Sequence, residues 1–431
     1  MRVDTDDFAR PCRCGKEHHI EVKEILIEEG AIEKLEEAMS DGFLKQYISP
    51  LLICDTNTCK VTEEIMEDIY DRCQVLVLDA EDLHADQHAV EIVENYMDED
   101  IDLILAVGSG TIHDISRYIA FQYKIPFVSV PTAASTDRFV SAKAAMTWNG
   151  LKKALKAHPP FAVFADTRIF AHAPKRLTAA GVSDLFGKYV CLTDWKIAHL
   201  LTDEYICDEI IELEEKVLKT VRSCLRDIEE GDEGDCEKLM YGLILSGLAV
   251  QMADNSRPAD GAEHHLACLW EMEVINGHLD AVHGEMVSVG TLLVLREYDR
   301  IARAIREGRC QVRSCPEDDR EALEATFGEK NLLREIQKEN DPEPLNEISP
   351  QRLESCLSEI ADLIEELPRE EELLQALKKA GCKYRVYDIG LSEDIIPLSL
   401  KLAPYMRNQL SLLRISKMLD IKGEQAWKRK E

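Results

Sequence analysis

Between Ile48 and Asp166 the chain alternates short apolar runs with amphipathic segments, and few folds accommodate that pattern. The runs Ile48–Cys54, Gln74–Ala80, Ile101–Gly108, Lys124–Thr132 and Phe161–Asp166 read as strands. Between them, Val61–Cys73 sets Ile65, Ile69 and Cys73 on one helical stripe, and Ala89–Met97 and Thr111–Tyr123 also read as helices. A strand that is apolar on both faces must be covered on both, which predicts a parallel sheet flanked by helices. A short helix is expected over Ala31–Met39, ahead of the first of these strands.

After Pro174 the character changes, and no convincing strand is expected. Cys207–Glu230, Cys236–Asn255, His278–Ile305 and Arg352–Glu366 carry helical periodicity. Residues 308–350 are charged and interrupted by Pro316, Pro342, Pro344 and Pro350, which predicts short helices and loops. A length of 431 residues is too great for one core. The expected organisation is an α/β, Rossmann-like nucleotide-binding domain over residues 1–178 and an all-α metal- and substrate-binding domain over 179–431.

A net charge of -31 argues against a nucleic-acid groove or an anionic membrane as partner. No run of eighteen apolar residues occurs and Met1–Pro11 has no signal-peptide core, so a soluble, cytoplasmic protein is expected. The fourteen cysteines are scattered singly, as reduced, mostly buried thiols would be. Near the N-terminus, PCRCGKEHH holds Cys12, Cys14, His18 and His19. It lacks a second C-x-x-C at zinc spacing and is read as a polar strand or loop.

Three stretches carry chemistry. Gly108-Ser109-Gly110-Thr111 ends a strand and opens a helix, where backbone amides and the helix N-terminus favour a phosphate. It is neither G-x-G-x-x-G, because His113 holds the last glycine position, nor a P-loop. At the same sheet edge, Asp55, followed by Asn57 and Thr58, is placed to bind ribose hydroxyls and to favour NAD over NADP. The turn Pro131–Asp137, small and rich in hydroxyls, ends another strand there, and two such turns point to a dinucleotide.

The third stretch, Ser256–Gly290, concentrates histidines. Neighbouring helical residues point about 100° apart, so only one of His264 and His265 can face a metal. That histidine, His283 and Asp184 would make a three-ligand site with an open position, suited to zinc or another first-row divalent ion. Asp184 lies where the helical half begins, where an acidic residue is often a cap. Its apolar neighbours Phe186, Tyr189 and Val190 instead predict burial, and a buried carboxylate needs a cation or donor.

GSGTIHD, PTAASTD, GVSDLFGKY, SRPADGAEHH and AVHGEMVSVG occur here in the order found in sn-glycerol-1-phosphate dehydrogenases. The chain resembles that family, within the dehydroquinate-synthase-like and iron-type alcohol dehydrogenases, strongly over about residues 20–300. The resemblance implies an active site in the cleft between the domains. It implies reversible reduction of dihydroxyacetone phosphate to sn-glycerol 1-phosphate with NADH or NADPH. By match, Asp184, His264 and His283 are the metal ligands and catalytic centre, with zinc, nickel or iron as the ion. Gly108, Ser109, Gly110, Thr111, Asp114, Thr132, Ser135 and Ser141 contact the nucleotide, and Asp137 the substrate. A homo-oligomer, dimer or larger, is also implied, as is a role in lipid-precursor synthesis.

One departure stands out. The family commonly reads E-H-x-x-x-H, its second histidine meeting substrate, whereas this chain has Cys268 one helical turn after His264. Cys268 is either a smaller pocket wall or a thiolate closing the metal site. These alternatives leave a glycerol or polyol dehydrogenase, or a catalytically silent metal- and nucleotide-binding homologue, as other readings. Dehydroquinate synthase fits less well, because Arg138, Lys143, Lys152, Lys153 and Arg257 do not form its dense cationic set.

Overall fold

The computed structural model describes residues 1–422; residues 423–431, part of the span expected for the second domain, lie outside them. The elements of the first half are β1 (Glu24–Glu28), α1 (Ala31–Ser40), β2 (Pro50–Asp55), α2 (Thr56–Thr62), α3 (Glu67–Tyr70), β3 (Gln74–Leu78), α4 (Gln87–Glu94), β4 (Leu103–Gly108) and α5 (Gly110–Tyr123). There follow β5 (Phe127–Pro131), β6 (Lys143–Trp148), β7 (Leu151–Lys156), β8 (Ala162–Asp166), α6 (Thr167–Phe170) and α7 (Lys175–Thr202). The second half contains α8 (Asp208–Ser223), α9 (Leu225–Glu230), α10 (Glu233–Ala253), α11 (Ala262–Glu271) and α12 (His283–Arg306). Its remaining elements are β9 (Cys310–Val312), α13 (Arg320–Phe327), α14 (Leu333–Glu339), α15 (Pro350–Glu365), α16 (Glu370–Lys379), α17 (Ile396–Leu402), α18 (Leu412–Ile415) and β10 (Leu419–Ile421).

The chain forms two compact units, Met1–Leu185 with Glu212–Asp254, and Phe186–Ile211 with Asn255–Glu431. Neither is one continuous stretch, in contrast to the single cut expected at 178/179. Two of the three dividing points fall inside helices, α7 and α8, which run unbroken through them, and the third follows the end of α10.

In the first unit the expected parallel sheet is present, with strands in the order β1-β8-β5-β4-β2-β3. Alternate side chains pass to opposite faces. Ile53, Ile104 and Ala106 pack with Ile112, Ile115 and Ile119 of α5 on one face. Leu52, Cys54, Leu105 and Val107 pack with Ile32 and Leu35 of α1 on the other. Gly108 is paired with Pro131, so the glycine loop and the hydroxyl-rich turn leave neighbouring strands at one edge.

The alternation did not foretell β1 or the antiparallel β6–β7 hairpin. The expected helix at Val61–Cys73 is two short ones, because Asp55 caps a helix that starts at Thr56.

The second unit is helix-rich, as expected, with a small β9–β10 ribbon as its departure from all-α. Its buried polar groups are tied to each other. Asp194 of α7 accepts from the Tyr298 hydroxyl (2.6 Å) and from the Leu412 and Ala262 N–H groups (2.7 and 3.0 Å). Arg414 is fully buried and forks onto Glu343. No cysteine is in a disulfide. Among the described residues no helix is long and apolar enough to cross a membrane.

Two consequences are measurable. A Cβ at Gly181 of α7 would stand 2.0 Å from the Ala134 carbonyl oxygen, a backbone atom. Gly181→Ala should therefore cost about 1–3 kcal/mol in denaturant unfolding, whereas a gain near the helix-propensity value of about 1 kcal/mol would contradict this packing. His113 lies buried in α5, donating through Nδ1 to Ser109 O (2.9 Å) and accepting the Ser129 hydroxyl at Nε2 (2.7 Å). Burial pushes its pKa down to about 3, against about 6.5 for a free histidine. Between these values the unfolded chain binds the extra proton, so stability is complete above about 6.5 and falls as pH drops toward 3. His113→Gln should flatten the fall by up to about 1.4 kcal/mol per pH unit. Equal slopes for the two proteins would contradict the buried neutral histidine.

Candidate functional site

In the second unit, α11 and α12 bring His264 and His283 together, with ring centroids 5.3 Å apart and planes at 50°. Asp194 fixes the start of α11 by accepting the Ala262 N–H, two residues before His264. Burial raises the Asp194 carboxyl to about 7.

Each imidazole is aimed by a carboxylate. His264 donates through Nδ1 to Glu263 Oε1 at 2.8 Å, and His283 donates through Nδ1 to Glu271 Oε1 at 2.9 Å. An acceptor on Nδ1 selects the tautomer whose Nε2 lone pair is the ligand atom, the arrangement common to metal-binding histidines. Glu263 is fully buried, and that burial raises its carboxyl pKa. The sequence reading passed over both glutamates as partners. Glu271 lies two helical turns after His264, on the same face, which is the signal that would have found it.

The paired histidine separates as helical geometry requires. His265 is buried, neutral down to about pH 3 because of that burial, and 3.7 Å from Asp260. Its ring nitrogens have no hydrogen-bond partner among the described residues. His278 lies at the surface against Glu273. Cys268 is buried, and its Sγ accepts from Arg407 Nη2 at 3.2 Å. Arg407 also meets Asp260, through Nε at 3.4 Å. Arg407, distant in sequence, was not foreseen at this position.

In the first unit, Asp184 is buried within α7, well past the helix start at Lys175, so it is not a cap. Its Oδ2 accepts the Asp137 N–H at 2.9 Å, while Asp137 Oδ2 accepts the Ser246 hydroxyl at 3.0 Å. The turn that carries Asp137 is thus anchored to both α7 and α10.

The nucleotide candidates converge at the sheet edge of the same unit. Ser109 is the N-cap of α5 and makes no side-chain cap, and the first-turn amides of such a helix have no intrahelical partner. The Thr132 N–H donates to Gly108 O at 3.0 Å, which locks the two turns together. Thr132 is buried and Ser135 half-buried in the second turn.

Other candidates have structural partners already. Asp55 Oδ1 accepts from the Asn57 and Thr58 N–H groups (2.8 and 2.9 Å) as a helix cap, and the Asn57 side chain is exposed. Asp114 pairs with Arg117 at 3.0 Å and with Arg138 at 3.4 Å. The Ser141 hydroxyl closes a turn with the Lys143 backbone.

Comparison with known proteins follows the same lines. The iron-containing alcohol dehydrogenase family matches residues 26–174. A glycerol-1-phosphate dehydrogenase [NAD(P)+] of Geobacillus stearothermophilus is 32% identical over 94% of this chain and 95% of its own. The protein of that name from Bacillus subtilis is 31% identical over 85% of this chain and 84% of its own. Among solved structures, an iron-containing alcohol dehydrogenase from Corynebacterium glutamicum superposes with a TM-score of 0.61 at 14% identity, covering 95% of this chain and 98% of that one, and so shares the fold. With its ordered motifs, its two-part architecture and this identity over nearly its whole length, the chain belongs to the NAD(P)-dependent glycerol-1-phosphate dehydrogenase family.

Proposed function

We propose that the protein interconverts dihydroxyacetone phosphate and sn-glycerol 1-phosphate, with hydride exchanged at the nicotinamide of NADH or NADPH. One divalent ion, zinc, nickel or iron, is held by Asp184, His264 and His283. The observation that carries this reading is the pair of imidazoles: His264 and His283 have ring centroids 5.3 Å apart, and each is aimed through Nδ1 by its own carboxylate. Helix α7 supports it independently. A Cβ at Gly187, one turn beyond Asp184, would stand 3.1 Å from Val287 and 3.2 Å from Glu263, so α7 lies against α11 and α12 beside the histidines. One carboxylate with two neutral imidazoles fits a divalent first-row ion with a position left for substrate.

When bound, such an ion is a Lewis acid that polarises the substrate carbonyl. The chain's own residues do the rest of the positioning. Glu263 and Glu271 hold the imidazoles in register, and the Asp137 turn presents its carboxylate toward substrate. The first-turn amides of α5 receive the pyrophosphate. The remaining oxygen of Asp55 meets the ribose, which favours NAD over NADP. Cys268 serves as a pocket wall, since its sulfur is engaged by Arg407. The same reading carries a cytoplasmic, homo-oligomeric enzyme.

Metal-loaded protein should oxidise NADH when given dihydroxyacetone phosphate, and faster than with unphosphorylated dihydroxyacetone. Asp184→Ala should lower turnover by about a hundredfold or more. A flat trace from the loaded wild type would sink the proposal, and preference for the unphosphorylated ketone would select a polyol dehydrogenase instead. Glu271→Gln should weaken ion affinity about 10–100-fold, measured by competition with a chelator; unchanged affinity would remove Glu271 from the design. Cys268→Ala should keep the ion, whereas its loss would make Cys268 a ligand.

A further inference from the structure

Within the second unit, one cation stands close to the histidine pair. Arg407 follows the turn Ala403–Met406, which packs against α11, and its Nη1 donates to Met406 O at 2.9 Å. Its Nη2 donates to Cys268 Sγ at 3.2 Å, and Cys268 lies one helical turn after His264 on the same face of α11. Asp260, just before α11, turns one carboxylate oxygen to Arg407 Nε at 3.4 Å and the other to His265 Nε2 at 3.7 Å. Burial pushes the Asp260 carboxyl up, but Arg407 and the imidazoles of His265, His264 and His283 outweigh it and hold the group below the usual carboxylate range. The guanidinium, the carboxylate and both ion-facing imidazoles therefore share one neighbourhood, all of it in the second unit.

Three arginines lie around the start of α11. Burial, with the charges of Arg407, Arg257 and Arg414, keeps His265 neutral against the pull of Asp260. Two of the three are built into the interior. Arg257 grips Glu204 through Nε and Nη2 at 2.7 and 2.5 Å, and Arg414 grips Glu343 through the same two nitrogens at 3.0 and 2.9 Å. Their side chains are 5% and 0% exposed. Arg407 differs in access: its side chain is 15% exposed, beside His264 at 10% and His283 at 18%. Next to it, the buried His265 has no hydrogen-bond partner on either ring nitrogen among the described residues, and neither has Asp260 Oδ1. Buried polar atoms are normally paired, so a corner of this kind is suited to receive a polar group from outside the chain.

We infer that Arg407 binds the phosphate of the substrate and so sets the preference for a phosphorylated ketone. This role rests on the proposed reaction. A guanidinium presents a planar fork of N–H donors that matches phosphate oxygens, and a partly desolvated one binds them more strongly than an exposed lysine would. Although burial pushes the Arg407 guanidinium down, Cys268, Asp260 and Glu339 more than offset that, and it stays charged. The span also fits. In dihydroxyacetone phosphate only two carbons and one oxygen separate the carbonyl oxygen from phosphorus, and residues one helical turn apart have Cβ atoms about 5–6 Å apart. A ketone whose carbonyl faces the imidazole pair thus carries its phosphate to the level of Cys268 and Arg407. Cys268 is small enough to leave the guanidinium within reach, and its sulfur steadies it.

The test compares phosphorylated and unphosphorylated ligands on the full, metal-loaded chain. Arg407→Gln should lower kcat/KM for dihydroxyacetone phosphate by about 10–100-fold and leave that for dihydroxyacetone within about twofold. In calorimetric titration, sn-glycerol 1-phosphate should bind this variant about 10–100-fold more weakly than wild type. Arg407→Lys keeps a charge beside Asp260 but loses the planar fork, so both readouts should fall between those of wild type and Arg407→Gln. It also carries the comparison alone should the glutamine variant not fold. Equal losses with both ketones would make Arg407 a structural residue and overturn its role, as would unchanged binding of sn-glycerol 1-phosphate. A wild type that reduces neither ketone would overturn the proposed reaction and this role with it. A wild type that prefers the phosphate, beside an Arg407→Gln that keeps the same preference, would overturn the role of Arg407 alone.

Discussion

An imidazole that donates its Nδ1 proton to a carboxylate has one lone pair left, and its direction is set by the bond on the other side of the ring. His264 and His283 are both held this way, by Glu263 and Glu271, residues at opposite ends of the same helix. Much of the surrounding design serves to keep that helix still. Asp194 accepts the Ala262 N–H at its start, and Trp270 near its end donates to Ser399 at 2.9 Å. On the proposed reading, a shift of one ångström here would move a ligand out of reach of its ion, so rigidity of α11 is a functional property.

The first unit solves a different problem, which is to expose backbone amides at the edge of a fully buried sheet. Paired strands end together at Gly108 and Pro131, and the turn after Pro131 is fastened back onto the glycine loop through Thr132. The same turn continues to Asp137, whose N–H is taken by Asp184 and whose carboxylate is taken by Ser246. The nucleotide loop and the carboxylate proposed as a metal ligand are therefore connected through a few residues of ordered backbone.

The sheet was legible because a strand buried on both faces must be apolar throughout, a pattern that β2, β4, β5 and β8 write plainly. The β6–β7 hairpin was not, because Lys143, Lys152, Lys153 and Lys156 on a partly exposed ribbon break up any continuous apolar run. Asp184, His264 and His283 are proposed from residue type and ordered motifs, and the helix turns His264 toward His283 and His265 toward Asp260. The carboxylate partners were missed because a sequence shows which residues share a helical face, not which side chain a ring leans on. Asp55 shows the converse: read as a ribose ligand, it spends one oxygen capping α2, and local capping accounts for its place beside Thr58.

The central claim is that Asp184, His264 and His283 grip one ion with Nε2 of both imidazoles directed at it. Anomalous diffraction at the metal edge, from crystals of the loaded protein, tests this directly. The account predicts a peak bonded to His264 Nε2, His283 Nε2 and an Asp184 carboxylate oxygen, with Glu263 and Glu271 still on the two Nδ1 atoms. A peak bonded through Nδ1, bonded to Cys268, or absent from these residues would contradict it.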